Sequence, residues 1–177
     1  APVSKMSKKT LMAHQIKAVS DRLKDCSLVA LHGKPIADCE RLGIPTLHGS
    51  TIGDWMCQIA CADYVISVDT AAFHCAGGMR KPLVGIFTFA NGKVYGKHYD
   101  FVLVQKHRDN GDWDCGPCFK FGSCPKSNKS IKPCLTLLSE SEIVAGIDKM
   151  FEKWPHKSSK DTTILDSRGY IGTAHQP

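Results

Sequence analysis

The chain has 177 residues, 42% of them hydrophobic, which is enough for one ordinary core and makes a single domain the default. A formal net charge of +6 is spread thinly over 23 basic residues, so it reports a solvated surface with a weak preference for anions, and no nucleic-acid motif accompanies it. No apolar run approaches the roughly 20 residues that cross a bilayer and no charged-then-apolar leader opens the sequence, which predicts a soluble protein without a membrane span.

Residues 8–24 carry Leu11, Met12, Ile16, Val19 and Leu23 at helical spacing, with Lys and Arg on the other face. SLVALH (27–32) reads as a buried strand, followed by a short helix over about 36–42 that Gly43 closes as the expected C-cap residue. Residues 44–47 form a short strand and 48–51 a turn, with Thr51 or Asp54 capping a helix whose Trp55, Met56, Ile59 and Ala60 face the core. His48 belongs to that turn.

The next stretch, YVISVDTAAFHCAGGMRKPLVGIF (64–87), organises the rest. Val65, Ile66 and Val68, then Leu83, Val84, Ile86 and Phe87, are near-continuous apolar runs, the pattern of parallel strands covered by helices on both faces. Ligands of such sheets sit at the carboxyl ends of the strands, which places Asp69, Thr70 and the Ala71 and Ala72 amides where a ligand would bind. Helix-opening amides and a hydroxyl suit phosphate oxygens. The competing use is a plain N-cap, which draws on the same amides and contributes about 0.5–2 kcal/mol. His74 lies one turn after Thr70, on the same helix face.

The loop NGKVYGK (91–97) leaves the strand ending at Phe87, and puts Lys93, Tyr95, Lys97 and His98 on the rim of the same cleft; FVLVQ (101–105) is a last strand. Cys115, Cys118, Cys124 and Cys134 then fall within some twenty residues, opened by C-x2-C and punctuated by Gly116, Pro117, Gly122 and Pro133. This spacing is that of a tetrahedral four-sulfur knuckle for a structural Zn2+, with iron as the alternative ion; two disulfides or free thiols are the competing reading. Four sulfur ligands leave no open coordination position, so no catalytic metal is expected. The other five of the nine cysteines, Cys26, Cys39, Cys57, Cys61 and Cys75, are scattered singly and read as reduced thiols of a cytoplasmic protein. Ser139 and Glu142 form a capping box for a final helix with Ile143, Val144, Ile147, Met150 and Phe151 as its apolar stripe, and Pro155 stops it. Residues 155–177 are polar and aperiodic and read as a flexible tail or a segment that orders on a partner.

The string CADYVISVDTAAFHCAGGMRKPLVGIF resembles the C-terminal domain of the family 9 glycosyltransferases, the ADP-heptose:lipopolysaccharide heptosyltransferases. Asp69, Thr70 and His74 match the family's D, T and H, and Pro82 its proline before the next strand. Ala71 stands in place of the usual glycine, and Thr88-Phe89 where glycine commonly follows the strand. A cysteine insertion before the closing helix extends the resemblance over about 8–154. It implies a Rossmann-like α/β domain over 1–154, the C-terminal half of a GT-B fold, with helices on both faces of a parallel sheet of about five or six strands and the knuckle inserted at 112–136. It further implies a nucleotide diphospho-sugar ligand such as ADP-heptose, held by Asp69, Thr70, Ala71, Ala72 and His74, with Lys34, Asp38 and Lys93 as further donor-site candidates. Asp38 or Glu40 would meet the ribose and Lys34 a phosphate. The expected activity is glycosyl transfer to a saccharide or protein acceptor, in a bacterial or bacteriophage-type cytoplasm, with acceptor site and catalytic base supplied by an N-terminal GT-B half or a partner subunit. The alternative is a GT-B-derived scaffold or binding module without transfer activity.

Overall fold

The two-faced apolar strands yield the expected layering. The computed structural model describes residues 11–32, 36–47, 51–88, 90–105 and 138–155, and the backbone of 163–165 and 171–173. In chain order the elements are α1 (Ala13–Arg22), β1 (Ala30–Leu31), α2 (Ala37–Arg41), β2 (Thr46–Leu47), α3 (Ile52–Cys61), β3 (Val65–Val68) and α4 (Ala71–Gly78). There follow β4 (Leu83–Phe87), α5 (Gly92–Tyr95), β5 (Val102–Gln105), α6 (Glu140–Lys153), β6 (Thr163–Leu165) and β7 (Ile171–Thr173).

β3, β4 and β5 form a parallel three-stranded sheet, with Val65 opposite Leu83 and Val84 opposite Val102. Every residue of the central β4 is buried, and its period of two divides the core. Val84 and Ile86 join Val68, Val104 and the α1 and α6 residues Ile16, Val19, Ile143, Ile147 and Met150 on one face. Leu83 and Phe87 join Val65, the α3 residue Ile59 and the α4 residues Ala72, Phe73 and Ala76 on the other. Helices therefore cover both faces, as the unbroken apolar runs predict.

The sheet differs from expectation in continuity. β1 and β2 pair in parallel, Ala30 with Thr46 and Leu31 with Leu47, as a separate two-stranded sheet. The five strands thus form two sheets rather than one, and only Ala30 and Leu31 of SLVALH are strand.

Two other expectations are corrected. Of the α3 residues assigned to the core, only Ile59 is buried; Met56 and Ala60 are exposed and Trp55 half-buried, because a ten-residue helix against one sheet edge buries a narrower stripe than its apolar content allows. Part of NGKVYGK is a helical turn, α5, since Asn91 Oδ1 accepts from Lys93 N at 3.0 Å and caps it. Within 155–177 the described backbone is β6 and β7, which pair antiparallel with Ile164 opposite Gly172.

Gln15 went unremarked in the periodic reading because it is polar, yet it is fully buried. Its Nε2 donates to Leu138 O at 2.8 Å and its Oε1 accepts from Met12 N at 2.9 Å, so it joins the start of α6 to the start of α1. Ser139 accepts from Glu142 N and completes the capping box.

Two helices end in the same way with different residues. After α2, Gly43 adopts φ +68°, with Ile44 N donating to Cys39 O and Gly43 N to Glu40 O. After α4, Lys81 N donates to Ala76 O and Arg80 N to Gly77 O, the same Schellman pattern, and here Arg80 sits at φ 56°. A side chain with a β-carbon is disfavoured in this conformation by about 1–2 kcal/mol, partly offset by the greater chain entropy of glycine when unfolded. Arg80→Gly is expected to stabilise the protein by about 0.5–1 kcal/mol, read as a higher urea midpoint at unchanged slope.

Candidate functional site

β3 ends at Val68 on the carboxyl edge of its sheet, and the chain passes through Asp69 and Thr70 into α4. Ser67, buried at the end of the strand, donates its hydroxyl to Val68 O at 2.8 Å and lies 3.2 Å from Thr70 Oγ1. Thr70 holds the N-cap position with extended backbone, but its side chain makes no capping hydrogen bond. The hydroxyl that would satisfy an α4 amide is turned toward Ser67. The Ala71 and Ala72 amides at the positive end of the α4 dipole therefore have no cap from Thr70, which weighs against the plain N-cap use.

His74 stands on the next turn, and its Nε2 lies 4.0 Å from Asp69 Oδ1. The two groups differ in access: the Asp69 side chain is 9% exposed and that of His74 40%. A ligand would thus meet the imidazole first, with the carboxylate behind it. Ala71 is exposed and Thr70 half-buried. The imidazole is set by rings: Phe73 and Tyr99 meet it edge-on with centroids 5.2 and 5.8 Å away.

Of the expected site residues, Asp69, Thr70, Ala71, Ala72 and His74 come together at this edge, although Ala72 turns its side chain into the core at 1% exposure. Asp38 is engaged with Arg41 as an i,i+3 ion pair on α2. Lys93 is exposed on α5, at the carboxyl end of β4. Lys34 and His48 lie outside the described residues, as do the knuckle cysteines Cys115, Cys118, Cys124 and Cys134. Among the described residues no group of three His, Cys, Asp or Glu side chains could hold a metal ion. Cys26, Cys39, Cys57, Cys61 and Cys75 are free thiols, and burial, with the Asp38 and Glu40 carboxylates adding to it, pushes the Cys39 thiol up.

Three further residues shape this edge. Ser67 diverts the Thr70 hydroxyl, and Tyr99 orients His74. Gln105, the last residue of β5, clamps the turn after β4: its Oε1 accepts from Gly92 N at 3.0 Å and its Nε2 donates to Ala90 O and, at 3.4 Å, to Thr88 O. A polar residue ending an apolar strand signals a carboxyl-edge position, and its partners become visible only in three dimensions.

Among the described residues no helix is long and apolar enough to cross a membrane. No protein-family model, curated protein or solved structure gives a match to this chain.

Proposed function

We propose that this domain binds a nucleotide diphospho-sugar of the ADP-heptose kind and serves as the donor-binding half of a glycosyltransferase. The observation that carries the reading is the start of α4: a helix N-terminus that its own N-cap residue does not cap, at the carboxyl end of β3. In this reading the Ala71 and Ala72 amides donate to diphosphate oxygens and a His74 ring N–H donates to another, with Asp69 behind it. In the transfer step the bond from the anomeric carbon to the diphosphate oxygen breaks and a bond to the acceptor oxygen forms. Charge accumulates on the departing diphosphate, where a helix N-terminus and ring or amide N–H donors stabilise it. The base that takes the acceptor proton belongs, by the resemblance, to another half or subunit.

Titration calorimetry with ADP and with ADP-heptose tests the proposal: saturable one-to-one binding is expected, and its absence at millimolar ligand sinks it. The second reading, a GT-B-derived scaffold without transfer activity, is favoured by the low exposure of Asp69, 7% for the whole residue, and predicts that absence. Cys115, Cys118, Cys124 and Cys134 are proposed to hold one structural Zn2+, with iron the alternative. Elemental analysis should then find one metal ion per chain, and Cys118→Ser should lower that content; a metal-free protein with wild-type stability would refute it.

A further inference from the structure

Cys57 and Cys61 lie four residues apart on α3, and both are exposed free thiols. One helical turn puts residues at this spacing on the same face. Gly53 and Ala60, which share that face, are themselves exposed and too small to cover the sulfurs. Asp54, the one acid of α3, is turned to the helix start, where its Oδ2 accepts from Thr51 N at 3.0 Å in the capping box. The other three described thiols stand singly: Cys39 is buried on α2, Cys75 half-buried on α4, and Cys26 exposed in the segment before β1.

Spacing decides what two thiols so placed can hold. Side chains one turn apart on a helix have Cβ atoms about 5–6 Å from each other, whereas a disulfide needs about 3.5–4.5 Å. Closing an S–S bond would therefore distort the end of α3. A metal ion bonded to both sulfurs at about 2.3 Å lets them stay up to about 4.6 Å apart, which the helical spacing accommodates. The number of donors then selects the ion. Zn2+ takes three or four protein ligands and an iron–sulfur cluster four cysteines, yet among the described residues no third His, Cys, Asp or Glu completes this pair. Of the soft ions that thiolates favour, Cu(I) remains, a closed-shell cation that two sulfurs satisfy.

We propose that Cys57 and Cys61 form a surface site for one Cu(I) ion, held between their two thiolates. On binding, two S–H bonds break and two S–Cu bonds form. Both protons pass to the buffer and copper stays in the +1 state, so no oxidant or reductant takes part. The bound group carries one net negative charge, which the carboxyl end of a helix dipole disfavours. Lys81 offsets this: its Nζ donates to Ala60 O at 2.9 Å, which sets the ammonium at the end of α3 that bears Cys61. The inference is independent of the ligand at Asp69 and of the ion held by the cysteines at 115–134.

Alkylation of the reduced full-length chain, mapped residue by residue by mass spectrometry, tests the site. With up to about three equivalents of Cu(I), added anaerobically as its acetonitrile complex, Cys57 and Cys61 are expected to react at least ten-fold more slowly with iodoacetamide, while Cys26 keeps its metal-free rate. Cys57→Ala should abolish the protection of Cys61, and Cys61→Ala that of Cys57; alanine favours the helix, and thermal melts check that the fold is kept. No protection in the wild type, or equal protection of Cys26, overturns the proposal. Protection of Cys61 that survives Cys57→Ala overturns it as well, since each sulfur would then bind without the other. Equal protection by Zn2+ would refute the choice of ion. A Cys57–Cys61 disulfide formed when the metal-free chain meets air would refute the spacing argument and assign the pair to thiol oxidation instead.

Discussion

Phe73→Ala is expected to cost about 3–5 kcal/mol, the range for truncating a fully enclosed phenylalanine. Phe73 is 0% exposed, and its ring meets those of Phe87, Tyr99 and Phe101 edge-on at centroid distances of 5.0, 5.7 and 5.0 Å. It joins α4 to β4 and to the segment before β5, so the cavity left by alanine could close only by moving a helix off the sheet. For a chain of this size each kcal/mol lowers Tm by about 2–4 °C, giving a fall of roughly 6–20 °C by calorimetry. Phe73→Leu restores most of the volume without the ring and separates cavity cost from ring–ring geometry, which contributes about 0.5–1.5 kcal/mol. A Tm within 2 °C of wild type for the alanine variant would mean that this cluster does not hold the domain together.

The second large effect concerns binding and rests on the proposed ligand. Ala71→Pro is expected to weaken ADP-heptose binding roughly 10- to 150-fold while leaving the fold intact. Ala71 is the first residue of α4, where proline is tolerated, and Thr70 before it has φ −144° and ψ 175°, a conformation that proline accepts in its predecessor. The substitution removes one N–H donor and little else. A hydrogen bond from an amide to a charged phosphate is worth about 1.5–3 kcal/mol, which sets the fold-change. Calorimetry of wild type and variant measures it, with thermal melts as the folding control. Unchanged affinity would exclude the Ala71 amide from the ligand's partners.

Much of this architecture was legible because its causes are local or periodic. The apolar runs at 65–68 and 83–87 announce strands buried on two faces, and alternate β4 residues do face helices on opposite sides. Thr51, Ser139 and Gly43 mark helix ends through side-chain oxygens or a left-handed backbone that only a few residue types supply. Arg80 was illegible for the same reason: it occupies a position whose usual marker is glycine. The Asp69–Thr70 turn was legible as a place, but the choice between a cap and a ligand site was not, because it depends on Ser67 holding the Thr70 hydroxyl. Asp38 was a candidate for the ribose, but one turn of α2 sets it beside Arg41, a local i,i+3 pairing.

By itself the sequence determined the order and kind of the elements from α1 to α6 other than α5, the two-faced burial of the middle strands and the edge at which Asp69, Thr70 and His74 gather. These follow from hydrophobic period and from which residues can end a helix, properties a chain carries without knowing its neighbours. The tertiary structure alone decided that the sheet breaks between β1 and β3 and that Gln15 and Gln105 fasten distant segments. Such features depend on which edges meet across the fold. Apolar pattern sets a strand's faces, whereas its neighbours in the sheet are chosen by long-range packing and backbone pairing.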